Sequence, residues 1–193
     1  MKHTNLKAIL IASIVLGCAA AVQAETPKGW FAAGSHPREY EMTLDREVTH
    51  GGKGSASLKS NVPKASGFGT LMQTFKADTY RGQRVRLSGY VRSQDVKDWA
   101  GLWLRVDGLK GEVLGFDNMQ DRAVKGNTDW TRYEIVLDVP EASQQIAFGL
   151  LLSGTGQVWL DDMKMEVVGK DVPVTGKKSS EEPSAPRNLD FEE

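Results

Sequence analysis

The sequence predicts an all-β domain, a two-sheet antiparallel β-sandwich, with a jelly roll preferred over a closed barrel. Three observations predict it. From Glu25 to about Val168, short apolar runs alternate with Gly, Asn, Asp and Pro, the pattern of strands and tight turns. Several of these runs alternate with a period of two, which makes one face of each more apolar than the other. No part of that stretch sustains helical periodicity, and no internal repeat is evident. Strands with one apolar face bury it by packing against a second sheet, so two layers are the natural architecture.

In chain order, Lys2 and Lys7 come first, followed by an apolar stretch over 8–22 that ends in Val22-Gln23-Ala24. Residues 1–24 read as an export signal cleaved after Ala24, because Val22 and Ala24 are small enough for the two positions that signal peptidase inspects. The apolar stretch is shorter than the roughly 20 residues a spanning helix needs, so no membrane span is expected. A competing signal, Val15-Leu16-Gly17-Cys18, has the form of a lipoprotein site and would place a lipid anchor on Cys18. The setting expected is therefore periplasmic or secreted, alternatively lipid-anchored.

Strands are expected at 40–44, 55–60, 69–76, 84–92, 99–107, 132–139, 146–153 and 157–168. In 84–92, Val85, Leu87, Gly89 and Val91 share one face, and Arg84, Arg86, Ser88, Tyr90 and Arg92 share the other. In 99–107, Ala100, Leu102, Leu104 and Val106 oppose Trp99, Gly101, Trp103, Arg105 and Asp107. In 146–153, Ile146, Phe148, Leu150 and Leu152 oppose Ala147, Gly149, Leu151 and Ser153. The domain is expected to cover 25–169. Residues 170–193, around Lys177-Lys178-Ser179-Ser180-Glu181-Glu182-Pro183, are too polar to bury a core and are expected to be a disordered tail.

Lys and Arg total 24 and Asp and Glu total 25, a formal charge of −1, which gives no basic excess for nucleic acid or an anionic membrane. Removal of 1–24 takes away Lys2, Lys7 and no acidic residue, shifting that charge from −1 to −3. It also removes the one cysteine, leaving no disulfide, thiolate nucleophile or Cys-based metal site. Beyond the signal, the histidines are His36 and His50, and neither a G-x-S-x-G nor an H-E-x-x-H motif is present. Asp161 and Asp162, as neighbours on one strand, are expected on opposite sides of it and so make a poor pair for glycoside hydrolysis. A non-catalytic role is expected.

Three motifs carry a family resemblance. His50-Gly51-Gly52-Lys53-Gly54-Ser55-Ala56-Ser57-Leu58 resembles the Gly-rich turn and Ser-Leu strand near the start of galactose-binding-like jelly rolls. Trp130-Thr131-Arg132-Tyr133, followed by Val139-Pro140, resembles a later strand of the same group, and Gly156-Gln157-Val158-Trp159-Leu160-Asp161-Asp162-Met163 resembles its closing strand. In order and spacing they resemble the carbohydrate-binding modules of cellulases and xylanases, over roughly residues 28–168. The chain also resembles a domain of bacterial proteins some of which are labelled transcriptional regulators. That label needs a DNA-binding unit, and no helix-turn-helix pattern is present, so the function is not carried over. Arg187-Asn188-Leu189-Asp190-Phe191-Glu192-Glu193 resembles the opening of a further module of this kind and is treated as tail.

The resemblance implies a ligand on the concave sheet face. It also implies a structural Ca²⁺ between an early acidic residue, the Gly-rich turn and the aspartate of the last strand. Asp161 matches that last position, and Glu41 or Asp45 with carbonyls near Lys53 would supply the rest. The plainer alternative is surface aspartates and a turn that needs no ion.

From the residues themselves, Trp99 and Trp103 share a face with Arg105 and Asp107, and Tyr90, Arg86 and Arg92 belong to a neighbouring strand. Flat rings beside hydrogen-bonding groups suit a sugar, with its C–H faces and hydroxyl rim. The alternative is that the tryptophans pack beneath a long loop over 110–129. Within that loop, Asp117, Asn118 and Arg122 are candidates for a polar rim, against the alternative of ordinary turn chemistry. The function expected is an exported, non-catalytic module binding a carbohydrate or glycan-like ligand. The alternative is a structural or protein-interaction domain of the cell envelope, with an envelope protein as partner.

Overall fold

A computed structural model describes residues 26–176. The expected export signal, Cys18 and tail residues 177–193 lie outside the described residues. The elements are β1 (Phe31–Gly34), β2 (Tyr40–Asp45), β3 (Ser55–Ser60), β4 (Phe68–Lys76), β5 (Arg84–Asp107), β6 (Val113–Asp117), β7 (Val124–Asp138), β8 (Gln145–Ser153) and β9 (Gln157–Val168), with short 3-10 turns between some of them. No α-helix occurs among the described residues, and every strand pairing is antiparallel.

The strands form two layers joined through β5. Layer A runs β1-β4-β8-β5-β6, and layer B runs β2-β3-β9-β5-β7. The first part of β5 pairs with β7 and β9 (Tyr90 opposite Arg132 and Asp161), whereas its last part pairs with β8 and β6 (Arg105 opposite Ala147 and Phe116). The strands expected at 84–92 and 99–107 are thus one continuous strand that turns a corner of the sandwich. Register shifts between Val91 and Ala100 and a left-handed Asp95 (φ 53°) make the corner. Asn127 Oδ1 accepts from the Asp95 N–H at 2.7 Å, and the Lys97 N–H donates to the Thr155 carbonyl at 2.9 Å. Val96, at the turn, stays in the core.

The residues expected on the apolar faces do fill the space between the layers. Leu58, Leu71, Leu87, Leu102, Leu104, Ile135, Ile146, Leu150 and Leu152 are almost wholly buried. Two strands were not foreseen. β1 is a four-residue edge without alternation, and β6 sits within the segment expected to be a loop over 110–129. Tyr40 ties the layer ends together by donating its hydroxyl to the Gly67 carbonyl at 2.6 Å, with the Gly154 carbonyl at 3.1 Å. Burial pushes its phenol up to about 12. Gly69 accommodates its ring, since a Cβ there would lie 2.5 Å from Tyr40 Cγ.

Residues 170–176 of the expected tail lie against the sandwich. Arg84 pairs with both oxygens of Asp138 at 2.9 Å and donates to the Lys170 carbonyl at 2.7 Å. The Thr175 N–H donates to the Val136 carbonyl at 2.9 Å, and its hydroxyl donates to Asp117 at 2.6 Å. The strap bridges β6 of layer A and β7 of layer B. Its polar composition conceals it because backbone groups, the Thr175 hydroxyl and the Lys170 ammonium on Asp138 hold it.

Candidate functional site

On the outer face of layer A, Phe31, Met72, Gly149 and Trp103 stand side by side across β1, β4, β8 and β5. On one side come Thr70, Leu151 and Gly101 and then Phe68, Ser153 and Trp99, while Thr74, Ala147, Arg105 and Phe116 make the row on the other. Trp99, Trp103, Arg105 and Asp107 therefore share a face, as their spacing predicts. The Trp103 indole lies across β8, where a Cβ on Gly149 would sit 3.0 Å from Nε1. It donates to Thr70 Oγ1 at 2.7 Å, and Thr70 donates onward to the Leu150 carbonyl at 2.8 Å.

Trp103 is 7% exposed and packs with Ala147, Leu151, Phe68, Met72 and Trp99. Neighbours on its own face do the packing. The 110–129 segment forms β6 and the start of β7 and pairs along β5, and its Asn118 and Met119 lie against Gly101, between the two tryptophans. Trp99 is half-buried, and Phe31 and Phe116 are 44% and 43% exposed. Arg105 Nε lies 3.0 Å from Asp107 Oδ1, with the aspartate side chain buried and the guanidinium partly open.

Tyr90 and Arg86 are not beside the tryptophans. The corner in β5 places them on the outer face of layer B, with Ser88 and Arg92. There the His50 ring stacks on Tyr90 with centroids 3.7 Å apart and planes at 15°, and it meets Trp130 edge-on at 5.7 Å. Asp161 Oδ2 fixes the Gly-rich turn by accepting the His50 N–H at 2.9 Å, and Asp162 Oδ2 lies 2.7 Å from His50 Nδ1. Both aspartates thus reach the same residue, which corrects their expected opposition. A bulge against β5 and a left-handed Asp162 (φ 49°) turn them to one side. A depression of about 350 Å³ opens here, lined by His50, Ser88, Gly89, Tyr90, Arg132, Asp162, Lys164 and Glu166.

Farther along this face, the Arg92 guanidinium lies 5.7 Å over the Trp159 ring. Trp159 Nε1 donates to Asp45 Oδ2 at 2.8 Å, and Asp45 Oδ1 accepts the Glu47 and Val48 N–H groups at 2.9 and 3.1 Å. Burial works to raise the Asp45 carboxyl, but these hydrogen bonds outweigh it and hold the group below the usual carboxylate range. Arg86 Nε faces Glu134 at 3.7 Å, and Arg132 pairs with the same carboxylate at 2.7 Å.

Asp117, Asn118 and Arg122 occupy a third place, at the end of β6. Arg122 Nη2 pairs with the buried Asp117 at 2.7 Å, and Asp117 also accepts the Met119 N–H at 2.8 Å. Burial would raise the Asp117 carboxyl, yet the bonds from Arg122, Thr175 and Met119 hold it below its usual range. Asn118 Oδ1 accepts the Gln120 N–H at 3.1 Å, an ordinary side-chain turn. Asp117 and Asn118 do line a depression of about 530 Å³ with Val113, Leu114, Phe116 and Thr175. The Asp117–Arg122 pair itself anchors the strap.

Of the four residues proposed for calcium, Asp45 stands opposite Ser55, next to the Ala56–Leu160 pairing that precedes Asp161, while Glu41 lies farther along β2 and Lys53 in the Gly-rich turn. Asp161 Oδ1 accepts the Asp162 N–H at 2.8 Å and its Oδ2 is taken by the turn, while both oxygens of Asp45 are engaged as described. Glu41 is exposed opposite Lys59, and Lys53 is exposed in the Gly-rich turn. Among the described residues, no three His, Cys, Asp or Glu side chains converge as metal ligands. Asp161 Oδ2 ties the Gly-rich turn to the last strand by accepting the His50 and Gly51 N–H groups. The His50 imidazole is paired with the Asp162 carboxylate, and no hydroxyl or thiol among the described residues is hydrogen-bonded to the ring. Sequence reasoning missed His50, Trp130 and Asp162 as a group; the signal available was an aromatic residue opening the Gly-rich turn and a doubled aspartate on the last strand.

No family model matches the sequence. A Bacillus subtilis (strain 168) protein described as an uncharacterized HTH-type transcriptional regulator, YbfP, is 49% identical over 168 residues, covering 86% of this chain and 57% of its own length. The chain thus spans little more than half of that relative. Among solved structures, the CBM22-1 xylan-binding domain of Paenibacillus barcinonensis Xyn10C superposes with a TM-score of 0.55 at 17% identity, over 75% of this chain and 88% of that one. TmCBM61 in complex with β-1,4-galactotriose superposes with a TM-score of 0.50 at 13% identity, over 75% and 92%. The enzymatically active domain of bacteriophage CBA120 tailspike protein 4 gives a TM-score of 0.57 at 16% identity, but over 73% of this chain and 20% of that one. At these identities the likeness is one of fold: an antiparallel β-sandwich shared with carbohydrate-binding modules.

Proposed function

We propose that this protein is an exported, non-catalytic glycan-binding module whose ligand lies on the outer face of layer A. One observation carries the reading: a sheet face directed away from the core displays Phe31, Phe68, Trp99, Trp103 and Phe116 beside the Arg105 guanidinium. Outward aromatic surface of this kind marks a ligand or partner face. Trp103 acts as the fixed floor, while Trp99 and Phe31 offer ring surface to sugar C–H groups and Arg105 offers donors to hydroxyls. The test is calorimetric titration with xylohexaose and β-1,4-galactotriose, with calcium present or chelated. Saturable binding whose affinity or stoichiometry Trp99→Ala lowers supports the reading. No binding to a wider glycan panel, or unchanged binding by Trp99→Ala, overturns it.

A second reading gives the same face to a protein partner, as in an envelope-interaction domain or the sensing part of a regulator. The identity to the regulator-labelled relative supports the latter. The described residues contain no α-helix, so they hold no helix-turn-helix. Cross-linking that reproducibly joins a protein to Trp99-proximal residues favours this alternative.

A further inference from the structure

We propose a second sugar-binding site, on the opposite layer, in the depression lined by His50 and Tyr90, where Trp130 meets the His50 ring edge-on. The site is independent of the layer A reading, because β5 passes from one sheet to the other between Tyr90 and Trp99 and places them on different outer faces.

The rings are held in position. Asp161 binds the His50 backbone N–H across 111 residues of sequence, and Asp162 engages the imidazole, so the turn is clamped to β9 with the His50 ring stacked on Tyr90. A clamp of this kind spares a ligand the cost of ordering the wall. The depression, at about 350 Å³, falls within the size range of small-ligand sites.

The lining names the ligand class. Arg132 and Lys164 contribute positive charge, and Asp162 and Glu166 contribute negative charge. Among the described residues, neither Lys164 nor Glu166 has an oppositely charged side chain within 4.0 Å, so both keep hydrogen-bonding capacity for a ligand. A balanced set of strong donors and acceptors beside aromatic rings suits a neutral polyhydroxylated ring. It disfavours a phosphate or uronate, which would face Asp162 and Glu166, and an ammonium, which would face Arg132 and Lys164. The ligand is therefore a neutral hexose or pentose unit of a glycan.

The test follows the His50 imidazole and Trp130 indole signals by NMR while xylohexaose or β-1,4-galactotriose is added, with a polygalacturonate oligomer as the acidic counter-probe. These measurements are made in wild type and in Trp99→Ala, which silences layer A. Saturable shifts of both signals with a neutral oligosaccharide, persisting in Trp99→Ala, are expected. Tyr90→Ala should weaken this binding by about tenfold. If Tyr90→Ala does not fold, Lys164→Ala, at an exposed position, should still weaken binding several-fold. Folded wild type whose His50 and Trp130 signals ignore both neutral probes at millimolar concentration sinks the site. Shifts produced by the acidic probe alone sink the ligand class. Failure of the layer A reading appears separately, as Trp99→Ala behaving like wild type toward a ligand that moves layer A signals.

Discussion

The two outer faces of this sandwich are made by one strand yet differ in kind. On layer A, β5 presents Trp99, Trp103 and Arg105 among Phe31, Phe68, Met72 and Leu151, and the central tryptophan is largely buried by its neighbours. On layer B, the same strand presents Arg86, Ser88, Tyr90 and Arg92 among Arg132, Glu134, Asp161, Lys164 and Glu166. One face is an apolar surface with a polar edge; the other is a charged lattice in which the His50 and Trp159 rings are each bonded to a carboxylate. The contrast teaches that outward-facing aromatics have two uses here. Trp103 is fixed by packing and one buried hydroxyl, whereas His50 and Trp159 are fixed by Asp162 and Asp45.

Substitutions break or sharpen this contrast. The largest effect is expected from Trp103→Ala, which should cost about 3–5 kcal/mol through lost burial and the lost indole N–H bond to Thr70. Trp99→Ala should cost much less and act on ligand affinity instead. Equal urea midpoints for the two variants would show Trp103 to be a ligand platform, and the packing account would fail.

Next is Asp117→Ala, which leaves Arg122 without its buried partner and removes the Asp117 bond to Thr175, whose bonds to Val136 remain. Because Arg122 is 33% exposed, the cost should be about 2–3 kcal/mol, below that of a fully buried pair. Amide exchange should then accelerate at Thr175 while Trp103 keeps its protection. Uniform acceleration would mean that the strap is not a separable unit.

On layer B, Asp161→Asn should cost about 1 kcal/mol by weakening a charge-assisted bond to the His50 N–H. Its sharper signature is local: the upfield ring-current shift between His50 and Tyr90 should diminish, with layer A resonances unmoved. An unaltered ring-current shift would deny Asp161 its clamping role.

The smallest effect is acid sensitivity at the Arg84–Asp138 pair. The Arg84 hydrogen bonds hold the Asp138 carboxyl down at about 2. Its folded value lies below the unfolded value of about 3.9, so the pair's stabilisation is present above that pH and is lost as pH falls through about 2. Asp138 is 44% exposed, so solvent screening keeps the effect small. Urea midpoints measured between about pH 4 and about pH 2 should fall less in Asp138→Asn than in wild type. Parallel curves would assign the acid response to other carboxylates.

Much of the fold was legible because side-chain alternation is local. Val85, Leu87 and Val91, and Ala100, Leu102, Leu104 and Val106, declare a buried face by their spacing alone, and the structure buries them. β6 was illegible because Val113-Leu114-Gly115-Phe116-Asp117 is brief, glycine-containing and flanked by turn residues. For the site, the shared face of Trp99, Trp103, Arg105 and Asp107 was readable from the period of two. The placement of Tyr90 and Arg86 was not, because nothing local at Ser93 and Asp95 states that the strand will change sheets there.

By itself, the sequence determined the class of fold, the apolar face of most strands and the aromatic–arginine row on β5, since each follows from alternation between adjacent residues. Tertiary structure decided which outer face each half of β5 serves, that Trp103 is buried, and that His50, Tyr90, Trp130 and Asp162 meet. Those outcomes depend on a corner at Asp95, on the bulge at Asp162 and on contacts between residues more than 100 positions apart, such as the 112 separating His50 from Asp162. Residues so far apart meet because the fold brings their strands together, and no local pattern records the meeting.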